Sequence, residues 1–370
     1  MRIHIVPLAL PFALAFVLGA GCSLLTPAAG GEGEGRAGEG EGGEGEGVHG
    51  AEGEGEGSAG EGEGSGAEGE GSAAEGEGSA AEGEGEGAVI SPDSSPLSTR
   101  SVGEVCGQWR SFAFPTGTDW TPVGDGSDTC DVGTLASETQ DAAVARVNLY
   151  RYLAGLPGIV RDDGLVAQEQ ACANVENGIG HLDHFPPQTA PCFTQEGSAG
   201  AGTSNLAHGT DTVRSVDLFV DDGQVPSMGH RRWVLNPTSG ETAFGHKGAF
   251  TCMYSFSWSA SNDPEFLSWP PAGPVPVDAA AGRYWFGTSH HQVTSTTTIS
   301  VNVDGAGFVD VPYDVLDYGY GSLQFNLGFD LPGVQPWEVA VEGRTVTVKV
   351  AGLDDGNTTL TYSTHYVGCP

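Results

Sequence analysis

Apolar side chains recur at helical spacing in the middle of the chain. Behind Ser137-Glu138-Thr139-Gln140, which matches a capping box, Ala143, Val147, Tyr150 and Ala154 follow the 3.6-residue period, and Gly155 with Pro157 ends the run. The pattern predicts a second helix over Leu165 to Glu176, with Leu165, Cys172 and Val175 on or near one face and Asn177-Gly178 as its stop. A third is expected from Thr212 to Val220, capped by Asp211, with Val213, Val216 and Val220 turned inward. The apolar runs Trp233 to Leu235 and Phe250 to Phe256 read as strands or buried segments between turns. Residues 101–136, rich in Gly, Asp and Thr, read as a loop-rich lead-in closed by a disulfide.

Beyond Pro264 the period changes from helical to two. Alternation runs through Ile299, Val301 and Val303; Leu323, Phe325, Leu327 and Phe329; Val339 and Val341; Val346, Val348 and Val350; and Leu360 and Tyr362. Turn signals separate these runs at Asp304-Gly305, Glu342-Gly343 and Asp354-Asp355-Gly356-Asn357. Half-buried strands at this spacing predict an antiparallel β-sandwich over 265–370, immunoglobulin-like in outline. The proline-rich run from Trp269 to Pro276 reads as a stiff connector, because each proline fixes φ and lacks a donor. Helices first and strands afterwards give an α+β class.

The start of the chain looks different. Met1-Arg2-Ile3-His4, an apolar run to Leu18 and the small residues Gly19-Ala20-Gly21 describe an export signal over residues 1–21. Cys22 after those small residues resembles the lipid-bearing cysteine of a bacterial lipoprotein, although Gly19 stands where that box usually has Leu. Ordinary cleavage with Cys22 incidental is the alternative. Ser23 at the next position implies, through the same resemblance, delivery to the outer membrane. Residues 22–100 are dominated by a Gly/Glu repeat. From Gly31 to Gly87 it holds 18 Glu and one basic residue, Arg36, and so carries −17 of the formal −35. Such a segment has almost no apolar side chains with which to build a core, so a disordered acidic linker is expected, holding the folded part away from a membrane. Its isolated Glu residues lack the clustering that calcium needs. The rest of the chain is near −18, with no basic patch to displace counterions, which excludes nucleic acid as a partner.

Of the seven cysteines, removing Cys22 leaves Cys106, Cys130, Cys172, Cys192, Cys252 and Cys369. An even set in an exported chain predicts three disulfides. Sequence order suggests Cys106–Cys130, Cys172–Cys192 and Cys252–Cys369, among 15 possible pairings.

Five short motifs occur in order: Asn148-x-x-Arg151, His184, Ser204-Asn205-Leu206-Ala207, Gly229-His230-Arg231 and Phe244-Gly245. Together they resemble the CAP superfamily, also called SCP-like (cysteine-rich secretory proteins, antigen 5 and plant pathogenesis-related proteins). The resemblance covers about Glu138 to Phe256 and implies a three-layer α-β-α sandwich, assigned here to residues 137–262. The β segment at 265–370 is similar to the β domain that follows CAP domains in some bacterial proteins.

In that family two His and two acidic residues line a cleft able to hold a divalent metal. The matching positions here are His184, with His181 as competitor, His230, Ser204 in place of Glu, and Asp222 in place of Glu, with Asp221 adjacent. Imidazole and carboxylate are good zinc ligands, whereas a serine hydroxyl is a poor one. Losing one carboxylate weakens both metal affinity and general-base capacity. His184 and His230 are therefore the metal candidates, with zinc as the ion. The contrasting reading is structural: both rings hydrogen-bond to the backbone and fix loops. Arg231 and Arg232 are expected to anchor the motif to nearby Asp residues. Ser204 lies outside any nucleophile-elbow context, so no catalytic residue is assigned. His208, His290 and His291 are expected at the surface, the last two on opposite faces of a strand. The expected function is an exported, lipid-anchored surface protein that binds a lipid, a cell-wall component or another protein. The alternative is a zinc-dependent hydrolase.

Overall fold

The computed structural model describes residues 100–370, apart from 116–119, 224, 280–281, 318, 332 and 334–335. The expected export signal, Cys22 and all of the linker but Arg100 lie outside the described residues. Arg100 itself is buried, with its guanidinium 3.9 Å over the Tyr152 ring and donating to the Tyr152 carbonyl, so it belongs to the folded part.

The first half runs α1 (Val102–Ser111), β1 (Trp120–Thr121), β2 (Thr134–Leu135), α2 (Ser137–Leu153), β3 (Val160–Arg161), α3 (Val166–Ile179) and α4 (Gln195–Thr203). It continues with β4 (Ser204–His208), α5 (Thr212–Asp221), α6 (Gly229–Val234), β5 (Glu241–Thr242), β6 (Phe244–Lys247) and β7 (Phe250–Tyr254). β4, β7 and β6 form a three-stranded antiparallel sheet in that order. Neighbouring residues on it part to opposite sides, as a pleated strand requires. Leu206 and Cys252 cluster with Cys172, Ala173 and Ala201 of α3 and α4. Ala207 and Met253 instead join Val147 and Tyr150 of α2 and Val216 and Phe219 of α5. Helices thus cover both faces of this sheet.

Close approach of α3 to its neighbours depends on missing side chains. A Cβ at Gly245 on β6 would lie 1.9 Å from the Glu169 carbonyl oxygen. Gly197 and Gly200 of α4 similarly face the Ala171 and Gln168 carbonyls, at 2.7 and 2.8 Å from a would-be Cβ. Helix α4 packs through small residues rather than an apolar stripe, which is why hydrophobic periodicity does not predict it.

Several local expectations need correction. The lead-in carries a true helix, α1, whose capping box is Ser101 with Glu104. At α2 the expected box does not form: Ala136 is the N-cap, without a side-chain bond. Gln140 faces inward instead, and its amide brackets Phe244 of β6, donating to the carbonyl at 2.5 Å and accepting from the N–H at 3.1 Å. Asn177-Gly178 lies inside α3, which stops only at Gly180 in a left-handed conformation. Trp233 is helical, in α6.

The second half contains β8 (Leu267–Trp269), β9 (Gly273–Pro276), β10 (Tyr284–Thr288), β11 (Thr298–Val303), β12 (Val309–Val311), β13 (Tyr313–Val315) and β14 (Phe325–Phe329). A short helix α7 (Pro336–Val339) precedes β15 (Thr345–Gly352) and β16 (Thr358–Val367). One sheet is ordered β13-β14-β10-β8 and the other β12-β11-β15-β16-β9. They touch through the Tyr284 and Tyr366 hydroxyls at 2.8 Å and through Phe266, which lies against Phe286 and Tyr362. Val346, Val348 and Val350 are buried in alternation, as their period predicts. The Val339/Val341 pair is too short to define a period, and Val339 ends α7. The expected connector from Trp269 to Pro276 is largely strand. β9 runs parallel to β16 at the sheet edge, where missing proline donors leave no ladder bond unmade.

The six cysteines pair completely, but not in sequence order. The bonds are Cys106–Cys369, Cys130–Cys192 and Cys172–Cys252, in place of Cys106–Cys130, Cys172–Cys192 and Cys252–Cys369. Packing of α3 on β7 brings Cys172 to Cys252, and α1 meets the end of the chain after β16, so tertiary contacts override proximity along the chain. Three bonds indicate an oxidising environment. No helix among the described residues is long and apolar enough to cross a membrane.

One hydrophobic cluster contains residues of both halves, with Tyr150 of α2 5.5 Å from Trp269 of β8 between ring centres. Arg151 of α2 fastens the following segment. Its fully buried guanidinium donates to the carbonyls of Pro157, Val234, Asn236 and Ser239. Burial lowers its pKa to about 9, and Asn148 holds the Ile159 backbone from one turn earlier. Replacing Arg151 with Met removes all four bonds and strands the buried Val234 and Ser239 carbonyls, while Asn236 keeps the Ser239 N–H, so urea denaturation should show a loss of at least ~2 kcal/mol. A loss under ~1 kcal/mol, the worth of a single ordinary hydrogen bond, would refute this role for Arg151.

Candidate functional site

A cavity of about 300 Å³ opens where the end of α4, the start of β4 and helix α6 meet. His184, Ser204 and His230, three of the four expected cleft residues, line it together. The competitor His181 is exposed and bonds only the Ile179 carbonyl, at 3.2 Å. Asp222, the fourth, lies behind His230. It caps α5 in a left-handed conformation, and its buried carboxylate accepts from the Arg231 N–H at 3.1 Å. The same carboxylate is 2.8 Å from His230 Nδ1.

Those contacts fix the imidazole tautomers. Asp222 offers His230 Nδ1 only lone pairs, and the Ala201 carbonyl does the same for His184 Nδ1 at 2.8 Å. Each Nδ1 therefore carries the hydrogen, and Nε2 is the nitrogen left without a protein partner. In its neutral form each ring presents a lone pair at Nε2.

A carboxyl does meet Ser204, from helix α3, although it does not line the cavity. Ser204 Oγ lies 2.5 Å from Oε2 of Glu169 on α3, which is fully buried. Burial pushes the Glu169 pKa up to about 8, against the opposing hydrogen bonds from Ser204 and Gln168. Glu169 therefore holds its proton at neutral pH. Its position is readable in one respect: it stands three residues before Cys172, on the buried face of α3. An acid at a core position of a helix is a functional signal as well as a structural oddity. Glu176, two turns on, is likewise buried and pushed up to about 7 by desolvation.

Aromatic side chains form much of the rest of the wall, beside Asn205, Val225, Ser227, Gly202 and Gly229. Trp233 and Phe256 stack with ring centres 4.6 Å apart, and Trp258 meets Trp233 edge-on at 5.6 Å. Phe185 and Tyr320 also line the cavity, and Phe185, Phe256, Trp258 and Tyr320 are all exposed. Among the described residues, no Lys, Arg, Asp or Glu lines it.

Arg231 anchors the motif through carbonyls rather than the expected Asp carboxylates. Its fully buried guanidinium donates to the backbone oxygens of Val220, Asp221 and Arg283. Asp221 reaches across to accept from the Gly282 N–H at 2.7 Å, so the site is pinned to the second half of the chain. Arg232 lies beneath Tyr320, 5.3 Å from the ring centre. His208 packs on Phe250, outside the cavity. His290 and His291 sit just after β10 rather than in a strand. His290 pairs with Asp263, while the half-buried His291 bridges Asp354 and Glu265. The Asp354 hydrogen bond, ahead of the one from Glu265, raises the His291 pKa.

A divalent metal at His184 and His230 would find two imidazole nitrogens and little else. Asp222 occupies the opposite nitrogen of the His230 ring, and Glu169 is protonated and turned to Ser204. Among the described residues, three potential ligands gather only at Glu169, Cys172 and Cys252, and those two sulfurs are bonded to each other. The donor set falls short of the three protein ligands usual at catalytic zinc. No family model matches the chain, and neither does any curated protein or solved structure.

Proposed function

We propose that the chain is an exported CAP-type protein that acts as a surface binding module through the cavity between His184 and His230. In this reading the first half is the three-layer CAP sandwich, the second half is an immunoglobulin-like β-sandwich, and a lipid on Cys22 anchors the whole to an outer membrane. The observation that carries it is the cavity itself: about 300 Å³, rich in aromatic side chains, with a few pinned polar groups and, among the described residues, no Lys, Arg, Asp or Glu on its wall. Buried Asp222 and the Ala201 carbonyl hold the two rings in place, as a preorganised recognition site requires. The motif order and the even cysteine set give further support.

A blocking variant tests the proposal. Gly202 lines the cavity, and a Cβ there would make only ordinary contact, 3.6 Å from the His184 carbonyl. Gly202→Leu should therefore fold and fill the space. Native mass spectrometry of protein purified without chelator should find a bound small molecule on wild type that is lost from Gly202→Leu. Stoichiometric zinc that disappears in both His184→Ala and His230→Ala would instead favour the metal-dependent hydrolase.

A further inference from the structure

We infer that the occupant of this cavity is a neutral, hydroxyl-rich molecule with a flat apolar face, that is, a sugar ring. The inference rests on the binding reading above and goes one step further, to the class of ligand.

Hydrogen-bond bookkeeping comes first. His184 Nδ1 and His230 Nδ1 are committed to acceptors, so both free Nε2 atoms receive hydrogens when the rings are neutral. Asn205 donates one of its two amide hydrogens to the His230 carbonyl at 3.0 Å, which fixes the amide and leaves Oδ1 as an acceptor. The Ser227 and Tyr320 hydroxyls on the same wall can donate or accept, so the wall suits an occupant that brings donors and can also accept, as a hydroxyl does.

Charge narrows the choice. An anion would meet lone pairs. A cation would find no carboxylate on the wall, and behind Tyr320 it would face the Arg232 guanidinium. A neutral molecule avoids both penalties. Among neutral donors, hydroxyls on a ring suit the rest of the site. Sugars present axial C–H groups on one face, and the Trp233–Phe256 pair and Tyr320 offer aromatic faces to receive them. The exposed rings of Phe256 and Trp258 extend that platform beyond the cavity, which would seat the next residue of a glycan. The volume lies at the lower limit of ligand pockets, so a chain end fits better than the middle of a polymer.

The test is calorimetric titration of the intact exported chain with the neutral disaccharides cellobiose, chitobiose and maltose. Glucosamine, methyl glucuronide and laurate serve as cationic, anionic and apolar probes. At least one neutral disaccharide should bind saturably, and binding should vanish in Gly202→Leu. His184→Leu should weaken it about 10-fold, the worth of one hydrogen bond, and His184→Gln, whose amide oxygen can still accept, should recover part of that. Thermal melts of each variant separate lost binding from lost folding. If laurate or a charged probe binds in a Gly202→Leu-sensitive way while no neutral sugar does, the sugar assignment is overturned and the binding module stands. If no probe binds and nothing co-purifies, both are overturned.

Discussion

Wild-type protein should be markedly more stable at pH 5 than at pH 8, and Glu169→Gln should remove most of the difference. Glu169 is buried in the folded chain, where desolvation lifts its pKa from 4.5 to about 8. Below the unfolded value both states carry the proton and the group contributes nothing to the pH dependence. Between the two values the unfolded chain ionises and the folded one does not, so stability falls as pH rises, by about 1.36 kcal/mol per unit. Over the whole interval the loss is roughly 4–5 kcal/mol. Glu176, pushed up to about 7, acts in the same direction. Asp354, held at about 2 chiefly by the Gln292 backbone N–H, loses its contribution only on acidification below the ordinary carboxylate range, outside this window. Gln at 169 keeps the shape and the bond to Ser204 without an ionisable proton. Urea midpoints from pH 5 to 8 should flatten in the variant by about one proton's slope, and its stability at pH 8 should exceed that of wild type. An unchanged slope would show that Glu169 ionises freely in the fold.

Breaking Cys106–Cys369 should be the most costly loss among the three disulfides. It closes a loop with a sequence separation of 263, against 80 for Cys172–Cys252 and 62 for Cys130–Cys192. Chain entropy assigns the longest bridge about 5 kcal/mol and the shortest about 1 kcal/mol less. The bond also holds α1 at the far terminus, where Arg110 donates to the Pro370 carbonyl at 3.1 Å. Denaturation of Cys106→Ser/Cys369→Ser against Cys130→Ser/Cys192→Ser measures the difference. Peptide mapping without reductant should yield a Cys106–Cys369 fragment. Recovery of Cys252 linked to Cys369 would refute this pairing and with it the docking of α1.

Legibility in the sequence follows the range of the interaction involved. Helix α5 is readable because Asp211 caps it and Val213, Val216 and Val220 repeat on one face. β11 and β15 are readable because alternation over five residues fits a half-buried strand and little else. Helix α4 is not, since its contacts are made by glycine against the backbone of α3. The capping box at Ser137 fails because Gln140 finds a better partner in Phe244, more than a hundred residues away.

The candidate site divides in the same way. His184, Ser204, Asp222 and His230 can be named from the sequence through the resemblance of short stretches to a family's cleft positions. Their roles cannot. Asp222 holds an imidazole from behind, and the carboxyl next to Ser204 comes from Glu169, 35 residues earlier on another helix. The sequence by itself determined the helical and alternating segments, the acid-rich start and the even set of cysteines, since composition and short-range periodicity act between neighbours along the chain. Only the tertiary structure decided which sulfurs meet, which nitrogen of each imidazole is free, and which carboxyl keeps its proton. Those depend on distance and burial, and both are set by packing between residues far apart in the chain.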